Sequence, residues 1–476
     1  MDIKQKFVEA FKRIWYIQGF NAYPLFLNRA GISGFEMEKV LGYGYSIILN
    51  SYRNGYCEMH YLSADLKRIW ERVKENLKKD SKYVEKIASK YFKIFEKHEK
   101  LFKQMDKLNL SKLEEPELIQ LLKNCSQASI DAVGVAHIVD PIGIGSEVEF
   151  KQKLLSEIKN KDKFNEYFSI LTTPLKLSFL GREEEDLRKI GNLTGIKRKK
   201  ALKLHLKKYS WVNNSYAGPT EITLTSLSRR LNLLNKEKVK PKLLKTELIN
   251  ELSLSKEIKD LIAVIDFSTI WQDRRKKNVL ISISYFSKVL EEVSKRISIP
   301  SKLLYFFGIE DFNSINSFKD IKKFKGELEE RTKGVFFLLD QGQEFEVCGQ
   351  DYQTLYKIYS EVEKGQSRPV EDIHGSVANR GTALGKVVIC KDLESIQKVE
   401  TGNVIVASMT RPEFMPALKK ASAIVTDEGG VTCHAAILSR ELGIPAIIGT
   451  KIATRILRDG MKVEVRANHG IVRIIS

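Results

Sequence analysis

The sequence has little cysteine and no recognisable cysteine motif. Five cysteines are scattered through 476 residues, at positions 57, 125, 348, 390 and 433, with no CxxC pair and no metal-ligand spacing. An odd, dispersed set is typical of reduced thiols and argues against a disulfide framework. The pattern predicts a cytoplasmic protein without a structural metal site.

Long apolar runs are also missing. A membrane span needs about eighteen consecutive apolar residues, and the sequence contains no such run. The N-terminal segment MDIKQKFVEAFKRIW has charges spread through it, unlike a signal peptide. The sequence contains no GxxxxGK[ST] phosphate loop. We therefore expect neither a membrane segment nor a Walker-type nucleotide site.

The charge is strongly basic but unevenly placed. The net charge is +19, yet residues 371–476 hold 14 Lys/Arg against 11 Asp/Glu, so most of the excess lies in residues 1–370. A basic surface that binds nucleic acid or another polyanion is one interpretation. Solvated faces of lysine-rich helices are the other. No zinc finger or RNA-binding aromatic motif accompanies the charge, so nucleic acid is the less favoured partner.

Residues 1–365 have the pattern of a largely helical region. Apolar residues recur every three or four positions over 64–104, 114–137, 150–169, 244–264 and 278–297, as in amphipathic helices. One short β element is predicted at 334–349, around Asp340–Gln341–Gly342. The helix-breaking residues Gly365, Ser367 and Pro369 then indicate a linker at 366–371.

Residues 372–476 follow a different pattern. Short runs of Val, Ile and Ala alternate with short helices and glycines, at 385–389, 403–408, 423–427, 445–449, 462–465 and 471–475. Such a pattern is typical of a compact α/β domain. The whole chain is thus predicted to be multidomain, with a helical N-terminal region followed by a C-terminal α/β domain.

One histidine stands where a phosphate could be held. In AIVTDEGGVTCHAAILSRELGIPAIIGT (423–450), a buried strand leads into Gly429–Gly430, and a helix is expected to start near the capping residue Thr432 and to end at Gly443. His434 would lie in the first helical turn, where free N–H groups and the helix dipole favour an anion. We expect Gly430 to adopt a positive φ and to leave room for the anion.

Imidazole suits phosphoryl transfer chemically. Its ordinary pKa near neutrality leaves much of it uncharged, and an uncharged ring nitrogen is a nucleophile that can attack phosphorus. His434 is therefore the candidate phosphocarrier. Thr410 and Arg411, in MTRPEF, either face the phosphate or shape a turn between a strand and a helix.

The C-terminal sequence resembles a known family. HGSVANRGTALGKVVI (374–389), residues 402–427, GGVTCHAAILSRELGIPAIIGT (429–450) and residues 457–475 are similar to the mobile, phosphohistidine domain of phosphoenolpyruvate-utilising enzymes, namely phosphoenolpyruvate synthase, pyruvate phosphate dikinase and the rifampicin phosphotransferases. The resemblance implies a swivelling β/β/α domain in which His434 is phosphorylated. It also implies that Thr432, Gly429 and Gly430 shape the phosphoryl pocket.

The same resemblance implies partners. In the full-length relatives an ATP-grasp module phosphorylates the histidine, and another module presents the acceptor, which is a TIM barrel in the synthase and dikinase. Neither pattern is found in this sequence, so ATP and Mg²⁺ are expected to act through a separate ATP-grasp protein. Residues 1–365 resemble, more weakly, the helical region that precedes the mobile domain in the rifampicin enzymes and binds their acceptor. Trp211, Asn214 and Tyr216 either bind such a small molecule or simply pack between helices.

Two functions remain open at this point. The first is an enzymatic phosphotransferase component, similar to the synthase and dikinase, that carries a phosphoryl group on His434. The second is a non-catalytic regulatory or scaffold protein whose basic helical region binds RNA or another macromolecule. The intact histidine motif favours the first.

Overall fold

The structure is a computed structural model that describes residues 2–174, 176–234, 245–364, 372–391, 393–410, 414–430 and 433–475. The predicted linker at 366–371 and the candidate site residues Arg411 and Thr432 lie outside the described residues.

The chain forms two compact units. The first comprises Met1–Ile142, Ser215–Gly218 and Ile281–Pro369, and the second comprises Gly143–Asn214, Pro219–Leu280 and Val370–Ser476. Both are therefore built from segments that are distant in sequence.

Helices dominate the described chain as far as residue 364. They are α1 (Ile3–Phe11), α2 (Pro24–Leu41), α3 (Ser63–Lys79), α4 (Tyr83–Met105), α5 (Glu115–Val133), α6 (Val139–Glu157), α7 (Phe164–Leu171), α8 (Phe179–Gly191), α9 (Gly195–Tyr209), α10 (Leu224–Leu234), α11 (Lys245–Glu251), α12 (Lys256–Ile297), α13 (Ser301–Leu304), α14 (Ile309–Ser314), α15 (Phe318–Lys323), α16 (Lys325–Thr332) and α17 (Gly349–Lys364), with 3₁₀ turns at Leu110–Lys112, Gly134–Ile138 and Lys161–Lys163. The predicted helical pattern is confirmed, although three of the predicted stretches are each divided between two helices: 64–104 into α3 and α4, 150–169 into α6 and α7, and 244–264 into α11 and α12.

The first unit also contains a five-stranded sheet, most of which the sequence did not predict. Its strands are β1 (Trp15–Asn21), β2 (Ile47–Arg53), β3 (Tyr56–Leu62), β4 (Val335–Asp340) and β5 (Gln343–Cys348), in the order β1-β3-β2-β4-β5. Every neighbouring pair is antiparallel. Aromatic side chains such as Phe7, Phe11 and Phe336 pack with α17 into its core. The N-terminal region is therefore mixed helix and sheet.

The predicted β element at 334–349 is a hairpin. β4 and β5 pair from Val335–Cys348 to Asp340–Gln343. The two residues of the turn, Gln341 and Gly342, have φ of 50° and 82°. Two positive φ values match the turn that suits the twist of paired strands.

The C-terminal region, defined here as residues 372–475, is an eight-stranded mixed sheet with short helices. Its elements are β6 (Asp372–His374), β7 (Ser376–Asn379), β8 (Thr382–Ile389), α18 (Leu393–Gln397), β9 (Val404–Ala407), α19 (Met415–Leu418), β10 (Ala423–Thr426), α20 (His434–Leu442), β11 (Ala446–Ile448), α21 (Ala453–Ile456), β12 (Lys462–Arg466) and β13 (Ile471–Ile474). The strand order is β6-β13-β12-β8-β9-β10-β11-β7. The stretch β8-β9-β10-β11 is parallel, and the flanking pairs are antiparallel.

This sheet has its own apolar core. Val387, Val404, Val425, Ile447 and Val463 are among its fully buried residues. All six predicted strand segments are present, and β6 and β7 were missed. A helical region followed by a C-terminal sheet domain is thus confirmed as the coarse fold.

The C-terminal region does not stand alone. It belongs to the same compact unit as residues 143–214 and 219–280, whereas the sequence predicted a boundary at 366–371 between two separate domains. Polar contacts explain this grouping. For example, Lys151 Nζ donates to Ser376 Oγ at 2.6 Å, and Asn165 Nδ2 donates to the carbonyl of Asn468 at 2.7 Å.

One helical stretch has the length and apolar composition of a membrane span. Glu115–Glu157 is long and apolar enough by length and composition, but 67% of its most apolar window is buried inside the protein. Burial of this kind is what a core helix shows.

Candidate functional site around His434

The loop between β10 and α20 places His434 at the first position of a helix. The residue before it, Cys433, is the N-cap, and its Sγ accepts from Ala436 N at 3.4 Å. The expected cap, Thr432, is therefore replaced by its neighbour. Gly443, with φ of 66°, ends the helix as predicted.

Cys433 supports the fold of the loop as the N-cap of α20. Burial raises the pKa of its thiol to about 11. The thiol therefore stays protonated at neutral pH, and its sulfur acts as a weak hydrogen-bond acceptor at the helix start.

Thr410 orients the imidazole ring. It lies just beyond the end of β9 and is 3% exposed, and its Oγ1 lies 3.0 Å from His434 Nδ1. A hydrogen bond with the Thr410 main chain also acts to raise the pKa of His434. A carbonyl can only accept, so we assign the proton to Nδ1. That tautomer leaves the lone pair on Nε2.

Nε2 is the chemically available nitrogen of His434. It is buried and has no hydrogen-bond partner among the described residues. Burial, followed by the positive charge of Lys276, lowers the pKa of the ring to about 3. At neutral pH the ring is therefore uncharged, and its unshared electron pair is not protonated.

The two glycines of the loop are required for different structural reasons. Gly429 has φ of 109°, and a Cβ there would lie 2.6 Å from Cys433 Sγ. Gly430 has no positive φ, contrary to expectation, but a Cβ there would lie 2.3 Å from Glu147 Oε2. Gly429 is thus required by backbone conformation, and Gly430 by the close approach of α6.

The sequence did not predict the groups that α6 and α12 bring to this loop. Glu147 is 5% exposed and forms an ion pair with Lys151 at 2.8 Å. Lys276 lies on α12, close enough to His434 to influence its pKa. These side chains come from residues more than 150 positions away in sequence, and no local pattern signals the contact.

Two of the residues predicted to bind a small-molecule acceptor, Trp211 and Asn214, make packing and backbone contacts in the structure. Trp211 is buried, donates to the carbonyl of Lys208 at 3.0 Å, and lies against Phe179 with ring centroids 5.5 Å apart. Asn214 donates to the carbonyl of Leu280 at 3.0 Å and accepts from Thr220 N at 3.0 Å. The structure favours the packing alternative for both.

Tyr216 lies in the other compact unit. Its carbonyl accepts from Tyr23 N at 2.9 Å. A small-molecule role for Tyr216 stays a prediction.

One acidic cluster in the first unit has the spacing of a metal site. Asp311, Glu327 and Glu346 have carboxylate oxygens within 4.8 Å of one another. The fully buried guanidinium of Arg331 pairs with all three. The arrangement is therefore an ion-pair network centred on a buried arginine.

Comparison with known proteins identifies the C-terminal region. Residues 399–470 match the family described as PEP-utilising enzyme, mobile domain. Residues 399–470 of the C-terminal region are thus similar to the mobile domain of PEP-utilising enzymes. His434, Gly429 and Gly430 all lie inside the matched range of this mobile domain.

Curated relatives agree with this identification. A probable phosphoenolpyruvate synthase from Archaeoglobus fulgidus is 44% identical over 145 residues, which are 30% of this chain and 19% of that protein. The phosphoenolpyruvate synthases of Pyrococcus furiosus and Pseudomonas aeruginosa are 51% and 46% identical over 100 and 98 residues, each 21% of this chain and 12% of theirs. The chain thus spans less than a fifth of the length of these relatives.

The similarity to solved structures does not extend the comparison with the curated relatives. The crystal structure of aconitase X from Thermococcus kodakaraensis matches 22% of this chain and 98% of that chain at 20% identity, with a TM-score of 0.18. A score this low carries no argument about the fold.

Proposed function

We propose that this chain carries a phosphoryl group on His434 Nε2 between an ATP-dependent donor and an acceptor, as part of a phosphotransferase similar to phosphoenolpyruvate synthase. The observation that carries the proposal is the state of Nε2. It is uncharged and has no hydrogen-bond partner among the described residues, and it lies at the N-terminus of α20 inside a PEP-utilising mobile domain.

The chemistry balances without a further reactant. The Nε2 lone pair attacks the phosphorus of the donor, a P–N bond forms, and the P–O bond to the leaving group breaks. Nδ1 keeps its proton, held by Thr410. In the second step the oxygen of a deprotonated acceptor attacks phosphorus, the P–N bond breaks, and the electron pair returns to Nε2; a hydroxyl acceptor first gives its proton to water.

The proposal also includes the donor and the kind of acceptor. ATP and Mg²⁺ are expected to act through a separate ATP-grasp protein, and a small molecule receives the phosphoryl group. Phosphoryl transfer depends mainly on positioning and charge neutralisation, so modules on separate chains can perform it. The five free cysteines support a cytoplasmic location.

The proposal is tested by reconstitution. The protein is incubated with Mg²⁺, labelled ATP and an ATP-grasp protein from the same organism. We expect a label that acid removes and base does not, and we expect His434→Asn to abolish it. A His434→Asn protein that still takes up label would refute the proposal and favour the non-catalytic scaffold.

A further inference from the structure

A cavity in the first unit lies along α3, in the basic N-terminal part of the chain. Its volume is about 330 Å³, which is in the range of small-molecule sites. Three of its lining side chains are cationic and one is anionic, so its charge favours an acidic ligand. The lining residues come from the end of α2, the loop after it and one face of α3: Leu41, Gly42, Tyr43, Arg68, Arg72, Glu75, Asn76 and Lys79.

The three cationic residues recur along that face of α3. Arg72 follows Arg68 by four residues, and Lys79 follows Arg72 by seven, which are about one and two turns of helix. Their positions are therefore separated by about 6 Å and about 10 Å along the helix axis. All three side chains are exposed, so a solute can reach them.

Arg68 is held in one orientation by the protein itself. Its Nη2 donates to the carbonyl of Gly44 at 2.7 Å and to Asp65 Oδ1 at 2.6 Å. Asp65 is 3% exposed, and its Oδ2 accepts from the amide and the hydroxyl of Ser46 at 2.7 and 2.8 Å. The two N–H groups of Nη2 are thus occupied, whereas Nε and Nη1 have no partner among the residues that the structure describes. A buried carboxylate therefore fixes the guanidinium and leaves its other donors available.

Arg72 and Lys79 are less constrained. Arg72 Nη1 donates to Glu75 Oε2 at 3.1 Å, and both of these side chains are more than half exposed. An exposed pair of this kind contributes little, so Arg72 can exchange Glu75 for a stronger acceptor. Lys79 has no ion-pair partner within the described part of the chain. Both cations are available to a ligand.

The end of α2 opposes an anion, but only weakly. The helix ends at Leu41, and its left-handed cap Gly42 has φ of 75°, so the negative end of the helix dipole lies at the cavity. The amide of Gly42 donates to the carbonyl of Glu38 at 2.8 Å, which satisfies one of the terminal carbonyls. A helix dipole is weaker than charge-assisted hydrogen bonds from two guanidinium groups. The cations therefore decide the sign of the ligand.

We propose that this cavity binds a small molecule through a phosphoryl group, held by Nε and Nη1 of Arg68 and by Arg72, while Lys79 contacts a further acidic group of the same ligand. The planar donors of arginine match phosphate oxygens in pairs. A confined cavity of this volume suits a small phosphorylated compound better than the extended backbone of a nucleic acid. The inference does not depend on phosphoryl carriage by His434.

The test is isothermal titration of the full chain with inorganic pyrophosphate in a chloride buffer. We expect binding with a Kd of about 1 mM or tighter, and a loss of about tenfold or more in each of Arg68→Gln and Arg72→Gln. Arg13→Gln removes the same charge from an exposed position of the same unit and should leave the Kd unchanged. Absence of binding by the wild type, or an equal loss in Arg13→Gln, would overturn the proposal.

Asp65→Asn separates a positioned arginine from a diffuse basic surface. The substitution removes a negative charge, so a diffuse surface would bind pyrophosphate more tightly. It also loosens Arg68, so a positioned arginine predicts weaker binding. Arg68→Lys keeps the charge but loses the planar donors and should weaken binding as well. Tighter binding by Asp65→Asn, or wild-type binding by Arg68→Lys, would refute the site as described.

A failure to fold does not leave the question open. Asp65 is buried and also holds Ser46, so thermal unfolding of each variant is recorded beside the titration. Arg68 is exposed, so Arg68→Lys leaves the core intact and decides the matter if Asp65→Asn does not fold.

Two further ligands test the chemical class. A single-stranded RNA oligonucleotide that binds with a steep salt dependence, and that pyrophosphate does not displace, would show a polyanion surface and overturn the proposal. Equal binding of malonate, a dianion without phosphorus, would refute selectivity for a phosphoryl group. His434→Asn should bind pyrophosphate as the wild type does, and loss of binding in that variant would place the anion in the second unit and contradict the proposal.

Discussion

Gly430→Ala is expected to destabilise the folded protein through a single added methyl group in the loop before α20. The new Cβ would lie 2.3 Å from Glu147 Oε2, so one of the two atoms must move by about 1 Å to reach an ordinary contact. Glu147 is 5% exposed and held by Lys151, which restricts its retreat. Overpacking of this kind costs about 1–3 kcal/mol. Gly430 has no positive φ, so the backbone itself is not strained.

The overlap exists only in the folded protein, so the penalty should appear in the free energy of unfolding. A penalty of about 1–3 kcal/mol corresponds to a change of about 5- to 150-fold in the folding equilibrium. The assay is denaturant unfolding, with Gly326→Ala as a control, since a Cβ there meets nothing within 4 Å.

Glu147→Ala provides the matching rescue. In that background the added methyl group has room, and Gly430→Ala should have little further effect on the free energy of unfolding. If Gly430→Ala behaves like the wild type, or is equally severe with and without Glu147, the packing of α6 against this loop is not as described.

Three further predictions follow from the same site. Gly429→Ala should destabilise the C-terminal region by about 1–3 kcal/mol in denaturant unfolding, because φ of 109° is unfavourable for alanine and its Cβ would meet Cys433. A variant as stable as the wild type would refute this prediction. The pKa of His434 by NMR should lie well below 6.5 and rise in Lys276→Met. Because the unfolded chain takes up the proton first, the free energy of unfolding should fall as the pH falls from 6.5 towards 3, by at most about 1.4 kcal/mol per unit. Cleavage at a protease site engineered into 366–371 should leave the two fragments associated in gel filtration, and immediate separation would contradict the grouping into one unit.

The strands of the C-terminal region could be predicted because they are short, almost purely aliphatic and bounded by glycine. Val404–Ala407 and Ala423–Thr426 are buried along their whole length, as central strands of a parallel sheet are. By contrast, β2 contains Asn50 and Ser51 and shows no alternation, although six of its seven residues are buried. Periodicity alone does not identify such a strand.

The candidate site was predictable only in its local part. His434 and Gly429 stand in one continuous motif, so their roles in the loop follow from the residues themselves. Glu147 and Lys276 have no such motif, because their positions depend on how α6 and α12 pack against the C-terminal region. The cap at Cys433 was missed because sulfur is a weaker acceptor than the neighbouring threonine hydroxyl.

The most direct test of phosphoryl carriage on His434 uses the native donor without identifying it. Tagged protein is incubated in an extract of the source cells with Mg²⁺ and ATP, captured, digested at alkaline pH and mapped by mass spectrometry. The chain has seven histidines. We expect the phosphoryl group on His434 alone and on no histidine in His434→Ala. A phosphoryl group on another histidine, or its persistence in His434→Ala, would contradict the account.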